Sequence, residues 1–338
     1  MPSIADTATE MVQWVFPEHA GAPGQIHGGR MMEWIAQVGT MAAARVARGT
    51  VTLGSMDDLD FLHSVRVGEI AILRAQVEYV GRSSLEVGVR VFSENVMTGA
   101  RAVTLNSHLV FVALDDRLSP RPVADTIVPA GAAEEALVDS ARVRREERLK
   151  RFAVRRARGL QGVLGGAPSA EAPGEHEAPR WRFESARAVL PEDALFGSTM
   201  FAGKLLKDID EAGGILSMRY CRGFVMTACV DALDFHAPIA THEVVTFQAG
   251  LNHVGTSSLE VGVKVLAEVP WTGEVRPACT AYLTFVHLGS DRRPRPAPPF
   301  VPESPSELRR WEAATQRREE RIARVKRLKA ALAAAERV

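Results

Sequence analysis

The sequence predicts an α+β protein made of two copies of one domain, each a long helix followed by a meander of antiparallel strands. The first observation is a repeat: residues 80–91 read VGRSSLEVGVRV and residues 254–265 read VGTSSLEVGVKV, an offset of 174. The second is a mostly small or apolar helical stretch near the start of each half, at 30–48 and 204–222. The third is period-two alternation of apolar residues after each helix. A buried helix wrapped by such a sheet is an α+β layer arrangement.

The repeat extends over whole domains. The same offset pairs residues outside the SSLE passage: Pro17 with Pro191, Gly29 with Gly203, Asp57 with Asp231, and Phe111 with Phe285. The segments after the repeats also correspond, as RREERL at 144–149 and RREERI at 317–322. A duplicated domain is expected to pack as an intramolecular pseudo-dimer, and a site at its seam can take different residues from each half.

Strand signals surround each predicted helix. Short apolar strands are predicted before the helices, at 12–16 and 188–190. After the first helix, the segments 69–80 and 101–114 are predicted as long strands, with a turn at 97–99. Between them Leu85, Val87, Val89 and Val91 alternate with Glu86, Gly88 and Arg90, which is typical of a strand with one buried face.

Four parts follow along the chain. We predict a first domain at 11–118, a charged helix and Pro/Gly/Ala-rich linker at 119–180, a second domain at 181–296, and a C-terminal charged helix at 297–338. Within these parts the charged helices are placed at 133–158 and 303–338, and the linker composition at 159–180 indicates mobility. In the helix at 303–338, interleaved Arg and Glu favour a solvated helix with i,i+4 pairs; the alternative is an oligomer contact or a place for ligand phosphates.

Composition excludes several function classes. The 338 residues carry 41 basic and 41 acidic side chains, and this balance argues against nucleic acid or a membrane surface as partner. No apolar run approaches the ~18–20 residues of a membrane span. The N-terminus shows no secretory signal, and Asp6 and Glu10 disfavour a mitochondrial presequence. Cys221, Cys229 and Cys279 lack metal-ligand spacing, so we expect reduced thiols, no metal site and a cytoplasmic location.

Several passages together resemble the acyl-CoA hydrolase branch of the hotdog-fold thioesterases, in which two hotdog domains occur in tandem. In the first half they are HAGAPGQIHGGRMMEWIAQVG (19–39), SMDDLDFLHSVRVGE (55–69), VGRSSLEVGVRVFSE (80–94) and HLVFVALD (108–115). In the second half they are LPEDALFGSTMFAGKLLKDIDEAGG (190–214), TACVDALDFHAPIATHE (227–243), the second SSLE passage and AYLTFVHL (281–288). The resemblance implies two hotdog domains and hydrolysis of acyl-CoA to a free acid and CoA.

The first half supplies a candidate oxyanion site in the loop His27-Gly28-Gly29. The glycines begin a buried helix, where unpaired amide N–H groups and the helix dipole favour negative charge. Glycine also lets a carbonyl approach the backbone closely. The alternative is that the glycines only allow tight helix packing.

The second half supplies the candidate base. The family carries a carboxylate in the middle of the central helix, and this register falls on Asp210, whose counterpart 174 residues earlier is Ala36. A carboxylate inside an apolar helix has a raised pKa, which suits a general base. The family threonine falls on Thr227, with Leu53 as its counterpart, either to bond Asp210, a water or the substrate, or as an ordinary strand residue. The resemblance therefore implies one composite site between the domains.

One departure concerns the loop asparagine common in the family. Its positions hold Gly21 in the first half and Leu195 in the second. If that amide orients the thioester or the water, its loss slows the reaction, unless Gln25 substitutes for it.

The repeated SSLE turns are the candidate CoA site, because the resemblance places the CoA nucleotide in this region. Arg82, Ser83 and Ser84, or Thr256, Ser257 and Ser258, offer hydroxyls and one cation to phosphates. The alternative is simple turn chemistry before a strand.

The sequence thus predicts a thioester hydrolase with no metal or redox cofactor, CoA being part of the substrate. By resemblance, the double-hotdog chains are expected to associate further, as a trimer. Two other functions stay open: an acyl-thioester hydratase on the same fold, and a non-catalytic acyl-CoA-binding or regulatory protein.

Overall fold

The computed structural model describes residues 1–21, 24–163 and 178–335. Most of the predicted mobile linker, at 164–177, lies outside the described residues, as do the last three residues of the chain. Both halves contain one long central helix and an antiparallel sheet, so the predicted tandem of hotdog domains is confirmed.

The described helices are α1 (Gly28–Ala47), α2 (Ala132–Val163), α3 (Ala202–Cys221) and α4 (Pro305–Ala335). The strands of the first half are β1 (Thr9–Trp14), β2 (Val51–Met56), β3 (Leu59–Asp60), β4 (Ile70–Val80), β5 (Ser84–Glu94) and β6 (Arg101–Ala113). Those of the second half are β7 (Arg182–Ala188), β8 (Ala194–Phe196), β9 (Thr199–Met200), β10 (Phe224–Val230), β11 (Leu233–Asp234), β12 (Val244–Val254), β13 (Ser258–Val269) and β14 (Glu274–Leu288).

Each half lends one short strand to the other. The first sheet runs β1-β4-β5-β6-β2-β11 and the second runs β3-β10-β14-β13-β12-β7, with antiparallel pairing throughout. Strand β11 of the second half therefore extends the first sheet, and β3 of the first half extends the second. The central helices α1 and α3 pack against each other between the halves. The two domains form one pseudo-dimer through backbone pairing as well as through their cores.

The repeat is visible in the irregularities of the backbone. A register shift at Leu53/Ser55 in β2 recurs at Thr227/Cys229 in β10. Helix α1 is capped by Arg48 and α3 by Arg222, both in the left-handed conformation. Because bulges re-aim side chains and are seldom accidental, positions 174 apart occupy the same place in the two domains. The halves can therefore be compared residue by residue.

Both charged helices pack one face on a sheet, which corrects the prediction that helix 303–338 is solvated. On α2, Arg144 donates to Glu86 Oε1 at 2.7 Å and to Glu78 Oε2 at 2.8 Å. On α4, Arg317 donates to Glu260 Oε1 at 2.5 Å, so the two RREER motifs bind equivalent glutamates. The glutamate of SSLE is buried in both halves. Buried carboxylates require paired cations, and this requirement explains why the motif is repeated.

Helix α4 also joins the halves. Arg324 donates to Asp60 Oδ2 at 2.7 Å and lies 3.0 Å from Asp58 Oδ2, and both carboxylates belong to the first half. Arg321 contacts Asp231 and Glu260 of the second half. In Asp231, burial outweighs the attraction of Arg321 and raises the pKa to about 6. One helix therefore connects carboxylates of both domains.

Three smaller expectations need correction. The strand before α3 is β7 at 182–188 and not 188–190; every second residue of this edge strand is exposed, which weakens its apolar signal. Helix α2 continues to Val163, beyond the predicted linker start at 159. Both central helices begin two residues before the predicted starts, at Gly28 and Ala202. Within the described ranges, every helix is too short or too polar to cross a bilayer.

Candidate active site

The candidate site centres on Asp210, a carboxylate on α3 that is 1% exposed. It reaches the first turn of α1 in the other half, where the Gly29 N–H donates to Asp210 Oδ2 at 2.7 Å. The Thr227 hydroxyl donates to Asp210 Oδ1 at 2.7 Å. His27 Nδ1 lies 3.5 Å from Oδ2. The residues predicted as catalytic thus come together from both halves around one carboxylate.

Local structure explains how these groups converge. Asp210 lies in the middle of α3, the helix that packs on α1, so its side chain is directed at the neighbouring helix. Thr227 is the last residue of β10 before the register shift, and this bulge separates the pairing of Thr227 from that of Cys229. Bulges commonly re-aim side chains beside active sites. His27 is the N-cap residue of α1.

Both glycines at the start of α1 are required for close approach. A Cβ on Gly28 would lie 2.4 Å from Thr227 Oγ1, and a Cβ on Gly29 would lie 2.9 Å from Lys207 Cα. Any side chain would separate α1 from α3 and β10. Tight helix packing and a role in the site were predicted as alternatives for these glycines, but both apply. The close packing of α1 brings the Gly29 amide within hydrogen-bond distance of Asp210. That amide is engaged by the carboxylate, which leaves Gly28 as the oxyanion candidate of the pair.

Space for the family asparagine is taken by His27. A Cβ on Gly21 would lie 2.8 Å from His27 Cδ2 and 3.2 Å from His27 Cα. A side chain at position 21 is thus incompatible with the imidazole where it stands. The proposed substitute Gln25 is 8% exposed, and among the described residues its Oε1 has no hydrogen-bond partner. Gln25 does not line the cavity at Asp210, whereas Gly21, Ile26 and His27 do.

Burial raises the pKa of the Asp210 carboxyl above its ordinary value. The neighbouring His27, the Thr227 hydroxyl and the Gly29 amide act in the opposite direction, because each favours the charged form. The group is therefore a stronger base than a solvated aspartate and is fixed by two hydrogen bonds. Among the described residues, no group of three or more His, Cys, Asp or Glu side chains could hold a metal ion.

A cavity of about 80 Å³ opens beside Asp210. Its first-half wall is formed by Gly21, Ile26, His27 and Gly28. Its second-half wall is largely apolar: Gly214, Met218, Phe224, Val225, Met226, Thr227 and Phe285. Apart from Thr227, these wall residues were not predicted from the sequence, because ordinary helix and strand alternation does not distinguish them from core residues. The carboxylate thus faces a small, mostly apolar space shared by both domains.

The equivalent place in the other half carries no acid. Ala36, Leu53, Phe201 and Ala202 stand where Asp210, Thr227, His27 and Gly28 stand in the first site, and we call this place the acid-free site. Its cavity is about 20 Å³, and nine of its eleven lining residues lie 174 positions from residues that line the cavity at Asp210; the exceptions are Leu114 and Thr199. The fold is duplicated, but the chemistry is present once.

The predicted CoA residues do not line the cavity at Asp210. Arg82, Ser83 and Ser84 lie at the start of β5, and Thr256, Ser257 and Ser258 lie at the start of β13. In the second half, His287 N–H donates to Ser257 O at 2.8 Å, and His287 is paired with Val225 of the cavity wall. The second-half turn is therefore two strands, roughly 10 Å, from that wall. The first-half turn has the same relation to the acid-free site.

Known proteins resemble the chain over both halves. Residues 23–100 and 197–270 match the thioesterase superfamily. Human cytosolic acyl coenzyme A thioester hydrolase is 28% identical over 307 residues, covering 88% of this chain and 78% of the human protein. The Bacillus subtilis protein YkhA, an acyl-CoA thioester hydrolase by name, is 43% identical over 133 residues, covering 39% of this chain and 77% of YkhA.

A solved structure shares the fold over most of the chain. The acyl-ACP thioesterase from Bacteroides thetaiotaomicron aligns with a TM-score of 0.50 at 12% identity, covering 84% of this chain and 99% of that one. At this identity the likeness concerns the fold, and it extends across both domains.

Proposed function

The chain belongs to the thioesterase superfamily, and we propose that it hydrolyses acyl-CoA to a free acid and CoA at one composite site between its two hotdog domains. It is a thioester hydrolase. The observation that carries the site assignment is the buried Asp210 carboxylate, held across the domain interface by Gly29 N–H and Thr227 Oγ1. CoA enters as part of the substrate, and the proposed steps use no metal or redox cofactor.

Asp210 acts as the general base. It takes a proton from a water in the cavity, and the resulting hydroxide attacks the thioester carbonyl carbon. The carbon–sulfur bond then breaks, and CoA leaves as a thiolate, a good leaving group because thiol pKa values are ~8.5. Thr227 and Gly29 keep the carboxylate in one orientation. Direct attack by Asp210 as a nucleophile is the other course open to the same side chain.

The Gly28 amide and the N-terminus of α1 stabilise the charge that develops on the carbonyl oxygen. The helix dipole favours negative charge there, and the absent Cβ lets the carbonyl come close. His27 is about one-third exposed and occupies the space of the family asparagine, so it orients the thioester or the water in its place.

The CoA nucleotide binds at the turn of Thr256, Ser257 and Ser258. Its location supports this choice over Arg82, Ser83 and Ser84, because it lies on the sheet that carries Thr227. The proposal also includes trimeric association and a cytoplasmic location, as the resemblance implies. Analytical ultracentrifugation tests the association.

The test is thiol release from short-, medium- and long-chain acyl-CoAs by the wild type, Asp210→Asn and Glu211→Gln. General-base catalysis contributes about 10²–10⁴-fold, and Asp210→Asn is expected to lose that factor. Glu211 is the adjacent, exposed acid of the same helix, so Glu211→Gln makes the same chemical change without touching the cavity and keeps the rate close to wild type at pH 8. Undiminished turnover by Asp210→Asn would contradict the site. Acyl-CoA binding without thiol release by the wild type would contradict hydrolysis.

A further inference from the structure

A second, larger cavity lies next to the acid-free site. This cavity measures about 240 Å³ and shares lining residues with the acid-free site: Thr52, Leu53, Leu114, Met200 and Ala202. Both halves contribute to it, because Val112 comes from β6 and Phe235 from the loop after β11, whose N–H donates to Gly54 O at 3.0 Å. The space is thus built into the domain interface, at the start of helix α3.

The chemistry of this space suits an unbranched acyl chain. Its wall is mostly apolar, including Leu53, Val112, Leu118, Leu205 and Phe235. An apolar cavity of ~150 Å³ already takes a ligand as large as benzene. Binding pockets typically combine such walls with a few placed polar groups. A hydrocarbon chain in this space would therefore bury its apolar surface against the wall.

One polar group stands where the head of such a ligand would lie. Thr199 lines the small cavity of the acid-free site and is 9% exposed. Its hydroxyl has no hydrogen-bond partner among the described residues. A buried hydroxyl without a partner carries a desolvation cost that a ligand oxygen could relieve. In the catalytic half the thioester is proposed to bind in the corresponding cavity, and the head of a ligand in the acid-free half is therefore placed beside Thr199.

We propose that this place binds a second acyl compound and does not hydrolyse it. The inference rests on the proposed function only for the class of ligand. The carboxylate of the catalytic half is missing, because Ala36 and Leu53 replace Asp210 and Thr227. Among the described residues the small cavity has no ionisable side chain in its wall, and the His236 side chain that lines the larger cavity is exposed to solvent. The ligand chemistry is an unbranched acyl chain with an oxygen at its head, either the free acid or the acyl group of CoA.

The test counts bound decanoate per chain by native mass spectrometry and calorimetry. Val112→Trp and Ala237→Trp fill the cavity from a strand and from a loop, and each is expected to lose one decanoate per chain relative to wild type. Val12→Trp adds the same bulk as Val112→Trp at a position 54% exposed on β1 and keeps the wild-type number. Circular dichroism selects the variants that fold. Wild-type stoichiometry in both filling variants would overturn the inference.

Two further measurements distinguish the free acid from the CoA-linked chain as ligand, and this inference from the proposed hydrolysis. The first is titration with S-decyl-CoA, a thioether that cannot be hydrolysed. If the wild type binds a second S-decyl-CoA that Val112→Trp does not bind, the ligand is the CoA-linked chain. If Val112→Trp loses only a decanoate, the ligand is the free acid. Decanoyl-CoA hydrolysis by the wild type is measured separately. If hydrolysis is absent while the filling variants still lose a decanoate, the proposed function falls and this inference stands.

Discussion

The starts of helices α1 and α3 have the same backbone and opposite chemistry. At α1, glycine and histidine face a carboxylate and a threonine from the other half, whereas at α3, alanine and phenylalanine face alanine and leucine. The cavities differ accordingly, at about 80 Å³ and about 20 Å³. Duplication therefore preserved the backbone around both sites, and a few side chains determine the size of each cavity and which of them can carry a base.

The two sites also differ in whether they can stabilise a buried carboxylate. A buried carboxylate is stable only with hydrogen-bond donors, and Asp210 has them because Gly28 and Gly29 bring α1 and Thr227 within reach. In the acid-free half no carboxylate needs such donors, so Ala202 is accommodated. Gly28 and Gly29 of one domain and Asp210 of the other therefore depend on each other.

Gly28→Ala tests this dependence and should have the largest effect on activity. The new Cβ would lie 2.4 Å from Thr227 Oγ1 and 3.2 Å from Asp210 Oδ2, so the threonine must move. Misplacement by about 1 Å can cost about 10²-fold, and we expect a fall of that order in kcat/KM. The mirror change Ala202→Gly adds no second hydrolytic site, because no base faces it. Steady-state thiol release measures both variants, and a Gly28→Ala enzyme at wild-type rate would break the comparison.

Thr227→Val should have the next largest effect. It keeps the shape of the side chain and removes the donor to Asp210 Oδ1. Hydrogen bonds to charged groups contribute about 1.5–3 kcal/mol, which corresponds to roughly ten- to a hundredfold in rate. Thr227→Ser keeps the hydroxyl and should recover most of the activity. If serine and valine behave alike in the same assay, the hydroxyl has no role.

Much of the domain architecture could be predicted from local patterns. The helix period and the alternation around Leu85 and Val87 depend on burial of one face, and the 174-residue offset carried every assignment from one half to the other. Strands β3 and β11 could not be predicted, since each has two residues and pairs only with the opposite half. Short strands of this kind are stabilised by long-range pairing, which leaves little trace in sequence.

The residues of the candidate site could be predicted from the sequence, but their hydrogen bonds and packing could not. The resemblance pointed to Asp210, Thr227 and the glycine pair, and the structure brings them within hydrogen-bond or van der Waals distance. It could not reveal that Gly29 N–H is engaged by Asp210 or that His27 fills the space at Gly21. Both facts depend on how α1 approaches α3 and on one imidazole rotamer. The carboxylate partners of α2 and α4 were missed because they lie on strands distant in sequence.

Arg324→Met tests whether α4 holds the halves together. Arg324 pairs with Asp58 and Asp60 of the first half, and Asp60 is 5% exposed. Leaving a largely buried carboxylate without its cation costs about 3–5 kcal/mol at full burial. Arg324 itself is about one-fifth exposed, so we expect roughly 1–2 kcal/mol. Guanidinium unfolding measures it, with Arg327→Met at an exposed position of the same helix as control. Equal midpoints for the two variants would remove α4 from the domain interface.

The pH profile gives the smallest and most specific effect, because only one half supplies a base. Asp210 must be charged to accept a proton, so activity falls as the pH drops through its pKa. Burial raises that pKa, which places the acid limb of kcat/KM above the ~3.9 of an ordinary aspartate. His27 lowers the pKa of Asp210 and Glu211 raises it. His27→Gln should therefore move the limb to higher pH, and Glu211→Gln should move it to lower pH. Shifts in the same direction, or a limb that survives in Asp210→Asn, would assign the titration to another group.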